Sequence, residues 1–163
     1  MRQNNKNIEI AGKNIGLSEE CFIIAEVGQA HDGSLGTAHQ FIEAAKKCGV
    51  DAIKFQTHIA EEESTFDEPF RVKFSSQDAT RFEYWQRMEF SENAWKELYE
   101  HATAAGLVFL SSPFSVKAVE LLESIGTPAW KVGSGEIRSN DLLNAMLKTK
   151  KPILLSSGLA DYK

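Results

Sequence analysis

The residues able to do chemistry in this chain stand at the ends of short apolar runs. Trp130-Lys131-Val132-Gly133-Ser134-Gly135-Glu136 begins as a strand and ends in a glycine turn, and it carries a cation, a hydroxyl and a carboxylate. Lysine and glutamate suit a buried strand only when they are paired or serve a ligand. Glycines on both sides of Ser134 let the backbone approach a ligand closely. Similar chemistry recurs at four other run ends: Glu26 after Cys21-Phe22-Ile23-Ile24-Ala25, Lys54 and Gln56 within Asp51-Ala52-Ile53-Lys54-Phe55-Gln56-Thr57, Ser112 after Leu107-Val108-Phe109-Leu110, and Ser156 after Ile153-Leu154-Leu155. Brought to one mouth, Lys54 and Lys131 with Ser112, Ser134 and Ser156 would suit a small doubly charged anion, such as a phosphate with a carboxylate. Glu26, Gln56 and Glu136 would suit proton transfer or the positioning of a sugar hydroxyl. A lone strand-end lysine is as often a surface cation, and a lone Gly-Ser-Gly is more often a plain turn. The recurrence at successive run ends carries the reading.

Elements that could bring these residues together are legible in the same stretches. Continuous apolar runs suit strands buried on both faces, as in parallel sheets. Between them lie helical patterns. Ala38, Phe41, Ile42, Ala45 and Cys48 recur at helical spacing before Gly49. Ser91 caps a helix with Trp95, Leu98, Ala102 and Ala105 inward, and Ser115 caps one with Val119, Leu122 and Ile125 inward. Leu142 to Leu147 form a short helix that Pro152 prevents from continuing. Residues 59–90 form a long connection, acidic early and aromatic late, with a short helix expected over Asp78 to Met88. A connection of that length is usually a lid or substrate loop. Ile8-Glu9-Ile10 and Ile15-Gly16-Leu17, joined by a turn at Ala11-Gly12-Lys13-Asn14, read as a hairpin that plugs or covers one end. Alternating strands and helices predict an α/β fold with ligands at the carboxyl ends of the strands. No Gly-x-Gly-x-x-Gly and no P-loop follow a strand, which argues against a dinucleotide site. The expected architecture is a (β/α)8 TIM barrel of which about the first five βα units are present.

Composition narrows the partners. The chain has 163 residues, a hydrophobic fraction of 42% and a net charge of −5, ordinary for a globular protein and against a nucleic-acid surface. No apolar run is long enough to span a membrane. Residues 1–7 are polar, without the apolar stretch of a signal peptide. Cys21 and Cys48 are too few for a disulfide framework and read as buried core thiols of a reducing compartment. A cytoplasmic location follows as the expectation.

The run-end motifs together, Ile24-Ala25-Glu26-Val27-Gly28, Ile53-Lys54-Phe55-Gln56-Thr57, Phe109-Leu110-Ser111-Ser112-Pro113-Phe114, Trp130-Lys131-Val132-Gly133-Ser134-Gly135-Glu136 and Leu154-Leu155-Ser156-Ser157-Gly158, resemble in order those of the N-acetylneuraminate (sialic acid) synthase family. The resemblance implies condensation of phosphoenolpyruvate with an N-acylated amino sugar to a nine-carbon 2-keto acid and phosphate. It also implies a manganese or magnesium ion that polarises the sugar aldehyde. By position, Lys54, Ser112, Lys131, Ser134 and Ser156 would hold phosphoenolpyruvate. Glu26, Gln56 and Glu136 would face the sugar or the reacting water. The family's metal-binding histidines lie on later strands, and none of His31, His39, His58 or His101 matches them by motif. Gln29-Ala30-His31 departs from the Asn-His of many members, which bears on sugar choice more than on reaction type.

The expected organisation is an N-terminal hairpin segment over residues 1–20 and the N-terminal part of the barrel domain over 21–163. The resemblance further implies an antifreeze-like C-terminal domain, expected to be absent from these residues, and a homodimer for the full-length protein. Two other readings stand beside the synthase: a Schiff-base aldolase using Lys131 or Lys54, and a barrel fragment without catalysis.

Overall fold

The structure is a computed structural model that describes residues 7–159. The polar stretch 1–6 that opens the N-terminal segment lies outside the described residues. Strands β1 (Ile8–Ile10) and β2 (Lys13–Ile15) pair antiparallel, with Ile8 opposite Ile15. The turn is two residues, tighter than the pattern implied. Ala11 and Gly12 have φ of 50° and 78°, the left-handed pair that matches strand twist in such a hairpin.

The chain then alternates. Strand β3 (Ile24–Gly28) leads to helix α1 (Leu35–Cys48), and strand β4 (Ala52–Thr57) to α2 (Ala60–Glu63), α3 (Arg81–Met88) and α4 (Glu92–Ala104). Strand β5 (Val108–Pro113) precedes α5 (Val116–Ile125), strand β6 (Trp130–Val132) precedes α6 (Asn140–Lys148), and strand β7 (Ile153–Leu155) follows. Ser34, Thr80, Ser91 and Ser115 each accept a backbone N–H at a helix start, and Thr80 with Glu83 completes a capping box. Gly49 and Gly126 end α1 and α5 in the left-handed conformation.

All pairing among β3 to β7 is parallel, in two ladders, β3-β4-β5 and β6-β7, with β6 lying beside β5. Residue alternation sends side chains to two faces. Ile53, Phe55, Phe109, Trp130 and Val132 pack against Ala38, Ile42, Trp95, Leu98 and Leu122 of the helices. Ala52, Val108 and Leu110 face the other way, where Ile10 of the hairpin, 2% exposed, closes over them. The hairpin is therefore packed on the inner face at the amino ends of the strands.

Two expectations need correction. The first strand begins at Ile24, not Cys21, because the backbone at Ile23 is taken up by Asp51: its N–H donates to Asp51 Oδ2 at 2.8 Å, and its carbonyl accepts the N–H groups of Asp51 and Ala52. Cys21 is thereby left in an exposed approach segment. Cys48 is exposed as well, because Lys46, Lys47 and Gly49 around it put the last turn of α1 in solvent. Both thiols are free surface groups and not core residues.

The segment between β4 and α4 is tied down at named points. Arg87 donates to Asp32 at 2.6 Å and to Asp78 at 2.6 Å and 3.0 Å, and its hydrogen bonds hold the Asp78 carboxyl below the usual carboxylate range. Tyr84 OH donates to Gln29 Oε1 at 2.6 Å. The chain passes Gly33 so closely that an added Cβ would lie 2.2 Å from the Arg87 carbonyl oxygen. Among the described residues no helix is long and apolar enough to cross a membrane.

His31 sits beneath this junction, fully buried, its ring 4.7 Å from that of Phe90. Burial pushes its pKa down to about 4, against a smaller opposing pull from Asp32. Between pH 6.5 and 4 the unfolded chain therefore binds a proton that the folded chain does not, and stability falls as pH drops through that window. The expected loss is on the order of 3 kcal/mol. Urea unfolding at stepped pH should show a clearly shallower slope in His31→Asn than in the wild type, whatever the variant's absolute stability. The remainder comes from groups such as His39, whose pKa is also lowered by burial.

Candidate active site

Six of the eight expected site residues share the inner face of the strands. Glu26 and Lys54 are paired in register on β3 and β4, and Gln56 is in register with Ser112 on β5. Lys131 on β6 and Ser156 beyond β7 continue the row. The cause is the two-residue period: Ala52, Lys54 and Gln56 point one way, as do Leu110 and Ser112. The face is apolar at its hairpin end and polar at its carboxyl end.

Lys54 is 5% exposed, and its ammonium forms an ion pair with Glu26. A lysine so buried requires such a partner, since an unpaired charge there is costly. Lys131 Nζ donates to the Val132 carbonyl at 2.8 Å and to Ser156 Oγ at 2.5 Å. Its pKa is lowered, first by burial and then by the neighbouring Lys54 charge, with Glu26 acting in the opposite direction. Two cations from different strands thus sense each other across one cleft. Ser112 is 3% exposed beside them, while Ser111, on the opposite face, bonds to Thr57 at 2.7 Å. A Cβ added at Gly28 would lie 3.4 Å from Glu26 Oε1 and 3.7 Å from Gln56 Nε2, so the glycine keeps open the space those two groups border.

Ser134 and Glu136 stand apart from this row, in the turn after β6. That turn is closed by Glu136 N–H to the Gly133 carbonyl at 3.0 Å and Ser139 N–H to the Glu136 carbonyl at 2.9 Å. Glu136 lines a cavity of about 580 Å³ with Phe70, Phe74, Arg81 and Trp85 of the long connection. It also lines a second of about 540 Å³ with Gln56, His58, Arg81 and Phe114. The long connection therefore walls the mouth on the Gln56 side. Its aromatics divide. Phe82 is buried against Phe66, whereas Phe70, Phe74, Tyr84 and Trp85 form a contacting series that ends on His58. Ser134 makes no hydrogen bond to the other site residues among the described residues.

Sequence reading missed His58, Glu63, Arg81 and Trp85. For His58 a signal was present: it continues the inward series 52, 54, 56 one step past the strand. Glu63 had none, because it reaches His58 only through the short helix α2. Among the described residues no group of three or more His, Cys, Asp or Glu could hold a metal ion.

Comparisons with known proteins give the family and the fold. The model of the NeuB family matches residues 41–163. The chain is 36% identical to N-acetylneuraminate-9-phosphate synthase of Mus musculus, over 91% of this chain and 42% of that protein. It is 35% identical to N,N'-diacetyllegionaminic acid synthase of Campylobacter jejuni, over 88% and 44%. It is 35% identical to pseudaminic acid synthase of Helicobacter pylori, over 86% and 42%. The chain thus spans less than half the length of these curated relatives. The solved N-acetylneuraminic acid (sialic acid) synthetase of Leptospira borgpetersenii, in complex with citrate, matches with a TM-score of 0.81 at 28% identity, over 97% of this chain and 52% of that one. A truncated 3-deoxy-D-arabino-heptulosonate 7-phosphate synthase of Thermotoga maritima, at TM-score 0.65 and 13% identity over 96% and 47%, shares the TIM-barrel-like fold alone.

The coupling between the lysines has a direct readout. Lys54→Met removes a positive charge and should raise the Lys131 pKa, whereas Glu26→Gln should lower it further. Titration of carbon-13-labelled lysine side chains by NMR measures both; shifts of the same sign in the two variants would refute the arrangement.

Proposed function

Because the chain belongs to the NeuB family, we propose that the whole protein condenses phosphoenolpyruvate with an N-acylated amino sugar. The product is a nonulosonic acid of sialic-acid type, made for surface polysaccharide, and inorganic phosphate leaves. The observation that carries this reading is the pair of lysines, Lys54 and Lys131, on one inner strand face, with Glu26 as counter-charge to Lys54. Such a cleft favours a small dianion over a neutral ligand.

In this reading Lys54, Ser112, Lys131, Ser134 and Ser156 hold the phosphate and carboxylate of phosphoenolpyruvate. The ligand replaces Lys131's present bond to the neutral Ser156 hydroxyl with ion pairs to its own oxygens. Carbon 3 of phosphoenolpyruvate bonds to the sugar aldehyde carbon, and water adds at carbon 2. Glu26, Gln56 and Glu136 orient the sugar and that water and move the protons. N-acetylmannosamine and related hexosamines all fit these groups. Residues 21–163 would be the first five βα units of an eight-stranded barrel, preceded by the hairpin segment 1–20. The antifreeze-like domain, a homodimer and a cytoplasmic location belong to the same proposal for the full-length protein. So does a manganese or magnesium ion, which would supply Lewis acidity at the sugar. The described residues do not form a site for it.

One observation favours a second reading. A lysine whose pKa is lowered, as that of Lys131 is, can act as an amine nucleophile. Its engagement by Ser156 Oγ and the Val132 carbonyl, beside a second cation, fits an anion cradle better.

The whole protein, assayed for phosphate release, should require both phosphoenolpyruvate and a hexosamine. Lys131→Ala should weaken phosphoenolpyruvate binding by about 100-fold, the loss of charge-assisted bonds. Borohydride trapping of a carbonyl substrate on Lys131 or Lys54 would select the aldolase instead.

A further inference from the structure

We infer that His58, held by Glu63, is a positioning residue that fixes the amide of Gln56 toward the acceptor sugar. The inference rests on the proposed condensation and adds a residue that neither the strand motifs nor the relatives' names assign.

His58 is 3% exposed immediately after β4. Its ring lies between two aromatic rings, Trp85 at 4.0 Å and 9°, and Phe114 at 4.1 Å and 16°. Those parallel faces leave the imidazole free to turn only within its own plane. Glu63 removes that freedom, since Glu63 Oε2 lies 2.7 Å from His58 Nδ1 while Glu63 Oε1 accepts the Ile59 N–H at 2.8 Å. A carboxylate only accepts, so Nδ1 carries a proton. Nε2 faces Gln56 Oε1 at 3.3 Å, and an amide oxygen also only accepts, so in this geometry the ring donates from both nitrogens, to Glu63 and to Gln56.

A glutamine amide at a strand end has two orientations, which exchange its donor and acceptor ends. Contact with His58 selects one, in which Gln56 Nε2 faces the open space at Gly28 that Glu26 Oε1 also borders. An amide locked in one sense discriminates among acceptors, because a polar group of the wrong sense is left unpaired. Trp85 is delivered by the long connection, and Phe114 follows β5 directly. Acceptor recognition is thereby tied to the docking of that connection.

The test is a double-mutant cycle in the whole protein, read by phosphate release with phosphoenolpyruvate and a series of N-acylated hexosamines. His58→Phe keeps the aromatic stack and removes both hydrogen bonds. It should lower kcat/KM for the hexosamine by about 10- to 100-fold with the KM for phosphoenolpyruvate unchanged. Gln56→Ala should do the same, and the double variant should be no worse than Gln56→Ala within about twofold, since His58 acts through Gln56. His58→Gln, which keeps a donor toward Gln56, should recover part of the loss. Additive losses, a parallel rise in the phosphoenolpyruvate KM, or full activity in His58→Phe would overturn the inference while leaving the condensation intact. A wild-type protein that releases no phosphate with any hexosamine overturns both. Should His58→Phe fail to fold, the Glu63→Ala and Gln56→Ala pair runs the same cycle.

Discussion

A lysine ammonium buried at a strand end loses most of its hydration, and the fold must return that stabilisation in another form. Lys54 is in this position, with Glu26 on the neighbouring strand as its counter-charge. The pairing is possible only because β3 and β4 are parallel and in a register that sets Glu26 beside Lys54. A slip of one residue would turn Ile53 or Phe55 inward and drive the ammonium into the layer packed with Trp95 and Leu98. The helix layer, the hairpin plug and the polar mouth therefore depend on one register, and the ion pair reports that it is correct.

Lys131 extends the same electrostatics across the cleft. Its proton is held less tightly because burial and Lys54 oppose it, and Ser156 supplies a hydrogen-bond acceptor in place of a second carboxylate. The result is a pair of lysines brought to one inner strand face inside a chain whose net charge is −5. The long connection closes the other side through ordinary contacts. Arg87 bridges Asp32 and Asp78, Tyr84 holds Gln29, and Trp85 lies flat on His58.

Much of this was legible in the residues. The serine caps at 91 and 115 follow from residue type, and the βα alternation, the helix stripes and the inner-face row from Glu26 to Ser156 follow from periods of 2 and 3.6. The misses have physical causes. Cys21 and Cys48 looked buried because apolar neighbours in sequence do not settle which turn or approach segment a sheet covers. The first strand started late because Asp51, far along the chain, captured the backbone at Ile23. Glu63 went unnoticed because its partner is chosen by the path of α2 and not by any spacing along the chain.

By itself, the sequence determined which side chains face inward and outward, since that depends on local backbone period and on burying apolar groups. It also determined the chemistry available at the strand ends. Only the tertiary structure decided which of those groups meet. It set Glu26 against Lys54, brought Lys131 to Ser156, left Ser134 without a bond to either, and stacked His58 between Trp85 and Phe114 beside Gln56. Those encounters join residues far apart along the chain. They are set by strand register and by the docking of a long connection, which no local pattern encodes.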